Sequence, residues 1–138
     1  MNRTKKTVLF LCTHNSARSQ MAEGFLRNLY GNRYEAFSAG ITPTSVHPYS
    51  IEVMKEIGID ISTQQSKNIK EFRDQTFDIV VTVCDHAKES CPFFPGATKR
   101  LHKGFTDPSK HKGRHEERMK SFRTIRDEIK YWIENTFD

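Results

Sequence analysis

With 138 residues the chain is long enough for one domain with a real core, and it carries no low-complexity tract and no internal repeat, which excludes a disordered or solenoid architecture. Lysine and arginine exceed aspartate and glutamate by 22 to 17, a net charge of +5 that calls for an anionic substrate or an acidic partner. Three cysteines, an odd number, exclude a fully paired disulfide framework and point to redox or catalytic thiols in a cytoplasmic protein.

Residues 1–6 are basic, but the apolar run behind them covers only residues 8–11, too short for a signal core or a membrane span. Residues 7–11 have the length and composition of a buried strand, and from 18 to 30 the apolar side chains Met21, Phe25, Leu26 and Leu29 recur at helical spacing. Between them runs Cys12-Thr13-His14-Asn15-Ser16-Ala17-Arg18-Ser19. In a strand–loop–helix of this kind the backbone N–H groups of the loop and first helical turn bind an oxyanion, helped by the helix dipole. A thiol attacks as thiolate, and such surroundings bring a cysteine from about 8.5 to roughly 3.5–7.5. Arg18 adds planar, bidentate donors that a lysine cannot match. Ser19 is placed to hydrogen-bond the Cys12 sulfur, and Asn15 to brace the tight backbone. By itself a Cys-x5-Arg spacing also fits a buried small residue at a strand end; its setting before an amphipathic helix favours the cradle.

Gly31 and Asn32 end the helical pattern, and residues 34–38 read as a second strand closing at Ala39-Gly40. A loop bracketed by Pro43 and Pro48 precedes a helix over 49–57, with Gly58 as its stop. A polar connector and a short helix at 69–72 lead to the most strand-like run, 77–83, which ends at Cys84. A last short strand is expected at 97–102, and the stripe of Phe122, Ile125, Ile129, Trp132 and Ile133 marks a closing helix over 116–135. Alternating strands and helices predict an α/β fold: an open four-stranded parallel sheet with helices on both faces, in one domain spanning 1–138. Ligands of such sheets sit at the carboxyl ends of the strands where the winding reverses. Cys12 and Cys84 both lie on that edge, about 4.8 Å apart in strand spacing if their strands are neighbours.

A charged segment separates Cys84 from Cys91. If helical, it holds them about 10.5 Å apart, beyond the roughly 4.4–6.8 Å between Cα atoms that a disulfide needs. Two readings stand side by side: a redox-dependent switch in which the segment loops back, or a Cys91 packed beneath the apolar residues 92–95. Asp107, fixed before Pro108, can hold a carboxyl over the cradle as a proton donor or serve as an ordinary turn residue. Much of the basic excess lies in 99–126, interleaved with His102, His111 and His115. No nucleic-acid motif accompanies it, so it reads as solvated surface and no nucleic acid is expected. The three histidines lack metal-ligand spacing, and no metal or cofactor is expected.

Taken together, residues 12–24, Ser38-Ala39-Gly40, Val83-Cys84, Cys91-Pro92 and Gly104 to Pro108 resemble the thioredoxin-coupled arsenate reductases, which share the three-layer, flavodoxin-like fold of the low-molecular-weight protein tyrosine phosphatases. The resemblance covers essentially the whole chain. It implies that residues 13–19 hold arsenate, that Cys12 attacks arsenic and that Asp107 protonates the leaving oxygen. Cys84 then forms a disulfide with Cys12 and Cys91 resolves it, with thioredoxin as electron donor and a monomer as the working unit. His14 stands where a glycine is frequent in that family, and Ala17 where some members carry cysteine. Some members bind potassium through positions matching Asn15, Glu23, Ser38 and an aspartate that aligns with Lys67; an ammonium there implies that no potassium is needed. The alternative is a phosphomonoester hydrolase of the tyrosine phosphatase type, which would use the same Cys12, Arg18 and Asp107. Ser109 speaks against it, because those phosphatases usually place an aromatic there.

Overall fold

The computed structural model describes residues 5–85 and 91–138. Four strands, β1 (Lys6–Cys12), β2 (Tyr34–Gly40), β3 (Phe77–Thr82) and β4 (Ala97–His102), form one parallel sheet in the order β2-β1-β3-β4. Among the described residues three α-helices accompany it: α1 (Arg18–Tyr30), α2 (Pro48–Lys55) and α3 (His115–Thr136). Short 3-10 helices lie at Ile69–Phe72 and Pro108–Lys110.

Strand β1 explains the layering. Its side chains alternate, as the two-residue period of a strand requires. Val8, Phe10 and Cys12 enter a core built with α1, α2 and α3, whereas Leu9 and Leu11 enter a second core with Phe72, Phe77, Val80 and Phe94. Residues from Val8 to Leu11 are completely buried, which is why their sequence is continuously apolar. Helices cover one face; the other is closed by the 3-10 helix Ile69–Phe72 and Phe94, so its cover is thinner than a full α-helical layer. Edge-to-face contacts among Phe37, Phe72, Phe77 and Phe94 fill it.

Of the stripe expected along α3, Phe122, Ile125, Ile129 and Ile133 are buried and Trp132 is half-buried, and Met119 joins them. Trp132 lies edge-on to Phe105 and Phe137 at 6.4 and 5.9 Å, fixing the segment that follows β4. Helix α2 starts one residue earlier and stops two residues sooner than its periodicity predicts. Gly58 takes φ +81 just beyond it, a conformation that glycine adopts without strain.

Strand β3 ends at Thr82, not Val83, because the chain there is drawn toward the β4 side. The Val83 N–H still donates to Leu11 O at 2.9 Å, but the Val83 carbonyl accepts from Phe105 N–H at 3.2 Å. Cys84 therefore stands just past the ladder, at the edge where β1 also ends.

Candidate active site

The loop after β1 is held from outside by its carbonyls. Thr13 O accepts from Thr42 N–H, His14 O from Thr44 N–H and the Ser66 hydroxyl, Asn15 O from the Gln20 amide and Ser16 O from His47 N–H, all at 2.9–3.3 Å. A trans peptide points its N–H opposite its carbonyl, so the N–H edges of this loop turn toward its concave side. Asn15 adopts φ +49, a left-handed conformation that asparagine tolerates better than most residues. It is fully buried and serves as a brace: Oδ1 accepts from Lys67 N–H, and Nδ2 donates to Ser19 Oγ, both at 2.8 Å. With that lone pair occupied, the Ser19 hydroxyl proton is available to the Cys12 sulfur 2.8 Å away.

A cavity of about 220 Å³ opens over this loop, lined by Cys12, His14, Ser16, Ala17, Arg18, Thr44, His47, Asp107 and Ser109. Thr13, Asn15 and Ser19 support it from behind. Arg18 opens α1 with its side chain 3% exposed; Nη1 donates to Phe105 O at 3.2 Å and Nη2 lies 3.5 Å from Asp107 Oδ2. The other Asp107 oxygen, Oδ1, accepts from both the N–H and the hydroxyl of Ser109, at 2.9 and 2.7 Å. Ser109 thus orients the carboxyl, leaving Oδ2 toward Arg18 and the cavity. The turn geometry expected of Asp107 and the placement over the cradle occur together.

Cys12 is a buried free thiol, while Cys84 and Cys91 are joined in a disulfide with Cα atoms 5.8 Å apart. Of the two readings, the structure holds the closed pair; the segment that had to be helical or looped back, residues 86–90, lies outside the described residues. Cys84 Sγ lies 3.8 Å from Leu11 O, on the peptide that leads into Cys12. Cys91 faces a separate, largely apolar cavity of about 340 Å³ with Val80, Thr82, Phe93, Arg100 and Leu101. Phe93 is 73% exposed there, with the Arg100 guanidinium 4.4 Å from its ring centre.

Lys67 does not supply the cation expected near Glu23 and Ser38. Its Nζ turns to Gln65 O at 2.7 Å, and only its backbone N–H serves the loop. Arg27, one helical turn beyond Glu23, takes that place: it pairs with the nearly buried Glu23 carboxylate, which also accepts from Ser38 Oγ.

Two lining residues, Thr44 and His47, stand outside every motif read from the sequence. His47 is the N-cap of α2, with Nδ1 accepting Tyr49 N–H at 3.0 Å and its ring 4.7 Å from that of Phe122. Burial holds its pKa below the ordinary histidine value, and the Arg118 charge pushes the same way against the opposing pull of Asp107. A histidine directly before a helix-starting proline is the trace it leaves in the sequence. Among the described residues no group of three or more histidine, cysteine, aspartate or glutamate side chains could hold a metal ion, and no helix is long and apolar enough to cross a membrane.

Residues 7–137 match the family model of the low molecular weight phosphotyrosine protein phosphatases. The arsenate reductase of Halalkalibacterium halodurans is 49% identical over 125 residues, covering 91% of this chain and 90% of the relative. A solved arsenate reductase in the phosphate binding state superposes with a TM-score of 0.80 at 35% identity, over 94% of this chain and 95% of that one. A thioredoxin-dependent arsenate reductase of Corynebacterium glutamicum gives 0.63 at 26%, over 99% of this chain and 66% of that one.

Proposed function

The chain belongs to the low molecular weight phosphotyrosine protein phosphatase family, among its arsenate reductases, and from that membership we propose that it reduces arsenate to arsenite through its three thiols. The observation that carries the reading is the meeting of Cys12, Arg18 and Asp107 around one cavity, with a Cys84–Cys91 disulfide beginning at the end of the adjacent strand. A hydrolase needs only the first three groups. The pair beside them gives the thiol somewhere to send oxidation.

Arsenate seats its oxygens on the loop N–H groups and Arg18. The Cys12 thiolate attacks arsenic as Asp107 Oδ2 gives its proton to the departing oxygen, which leaves as water. The Cys84 thiolate then attacks Cys12 Sγ; the electron pair of the sulfur–arsenic bond goes to arsenic, releasing arsenite and leaving a Cys12–Cys84 disulfide. Cys91 attacks Cys84 Sγ, forming Cys84–Cys91 and returning Cys12 as thiolate. Two electrons have passed from thiols to arsenic. A free Cys12 beside a closed Cys84–Cys91 is the state that ends this sequence. A dithiol of the thioredoxin class restores the pair; the exposed Phe93 and the apolar cavity at Cys91 suit such a donor, and the Corynebacterium neighbour uses thioredoxin. The protein acts as a cytoplasmic monomer, and with Arg27 neutralising Glu23 it needs no potassium. Strong activation by potassium over sodium would contradict the last point.

The test is arsenate-dependent NADPH oxidation with thioredoxin and thioredoxin reductase, for wild type, Cys84→Ser and Cys91→Ser, with p-nitrophenyl phosphate hydrolysis in parallel. Loss of multiple turnover in both variants with hydrolysis retained supports the relay. Efficient ester hydrolysis without NADPH oxidation in the wild type would make the protein a phosphatase.

A further inference from the structure

We infer that His47 is a substrate-recognition residue of this site, donating its Nε2–H to an oxygen of the bound tetrahedral oxyanion. The inference rests on the cradle being an oxyanion site, and it adds a donor from outside the loop that builds it. A backbone N–H can only donate, so the 3.0 Å bond from Tyr49 N–H makes His47 Nδ1 an acceptor and puts the proton of the neutral ring on Nε2. The ring borders the same cavity as Cys12 and Arg18. The ring packs tilted against Phe122 at 4.7 Å and beside Tyr49 at 5.3 Å, and the residue's backbone N–H donates to Ser16 O of the loop at 3.0 Å. A ring so constrained loses little freedom when a ligand arrives.

The charges around it decide its state. Asp107 faces it from the turn after β4, and Arg118 from α3; His14 shares the cavity, and His115 reaches Tyr49 Oη at 2.8 Å. Burial and Arg118 keep the unliganded ring neutral at pH 7. An anion bound within contact of Nε2 reverses that balance, stabilising the protonated ring and moving its titration to higher pH.

Two measurements on the reduced protein test this with inorganic phosphate, a tetrahedral oxyanion that is not reduced. In the first, the His47 ring is titrated by NMR with and without saturating phosphate, its signals assigned through His47→Asn. The titration midpoint is expected to rise on binding; an unchanged midpoint overturns the inference. In the second, phosphate protection of Cys12 against alkylation is compared in wild type and His47→Asn. Asparagine keeps an acceptor for Tyr49 N–H and therefore the helix cap, but has no atom at the Nε2 position. About tenfold or weaker protection is expected, the scale of one lost hydrogen bond to a charged group, with KM for arsenate rising by a similar factor while kcat changes little. If His47 serves only as a cap, His47→Asn protects like wild type, and the inference fails. Should the variant not fold, the ring signals are assigned from through-bond spectra of the isotope-labelled wild type, and its titration decides alone. A protein that shows both effects yet reduces no arsenate would sink the proposed activity and leave this contact standing.

Discussion

Gly40 ends β2 directly behind the cradle, and replacing it with alanine tests whether that cradle is as closely built as it looks. A Cβ at this position falls 2.7 Å from Thr13 O, 2.9 Å from Asn15 N and 2.9 Å from Cys12 O. Carbon against a carbonyl oxygen settles at roughly 3.3–3.6 Å, so the loop has to retreat by about 0.5 Å. Every atom met is backbone, so no side chain can swing away to relieve the contact. Overpacking of this kind costs about 1–3 kcal/mol. At about 2.1 cal/mol/K of unfolding entropy per residue, a chain of this length then melts roughly 3–10 °C lower. The functional effect is sharper, because displacement of reacting groups by about 1 Å is worth on the order of a hundredfold, and half of that about tenfold. Differential scanning fluorimetry gives the first number, and Cys12 alkylation with phosphate protection the second. A Gly40→Ala protein with wild-type melting and wild-type protection would refute the geometry.

Asp107→Asn keeps an acceptor for Ser109 but has no proton to give; kcat for arsenate is expected to fall about 10²–10⁴-fold while phosphate protection of Cys12 is not weakened, and an unchanged kcat would remove Asp107 from the mechanism. Ser50, fully buried on α2, has a hydroxyl with no hydrogen-bond partner among the described residues; Ser50→Ala is expected to stabilise by about 0.5–1 kcal/mol in urea unfolding, and a loss would mean the hydroxyl is satisfied. His47 has a folded pKa below its unfolded one, so the unfolded chain binds the extra proton first. Stability present above pH 6.5 is therefore lost as pH falls from there through the folded value, and His47→Asn should remove that part of the slope; parallel slopes in the two proteins would contradict it.

Much of the site could be read from residue order because it is local. Cys12, Asn15, Arg18 and Ser19 lie within eight residues, and a strand followed by a helix of the right periodicity fixes the loop between them. Asp107 was legible for a similar reason: the proline after it confines one turn. His47 was not, since it reaches the cavity only because the connection after β2 folds back onto the loop, a contact separated from Ser16 by a whole strand and helix. Lys67 misled because alignment assigns a position, while the side chain there faces out and the backbone does the bonding. The cation at Glu23 comes instead from an i, i+4 neighbour visible in the sequence as a helix-face pair. The Cys84–Cys91 question stayed open because spacing alone fixes a separation only for a regular helix.

The two cavities share no lining residue. One lies beside Cys12, His47 and Ser109; the other opens at Cys91 beside Arg100 and Leu101 on the outer strand. In the proposed relay, reducing equivalents would then enter at one door and leave on arsenic at another, conducted across the rim of the sheet by sulfur alone. Neither reactant has to vacate its place for the other. At steady state, excess reductant should not compete with arsenate, and excess arsenate should not block the reductant.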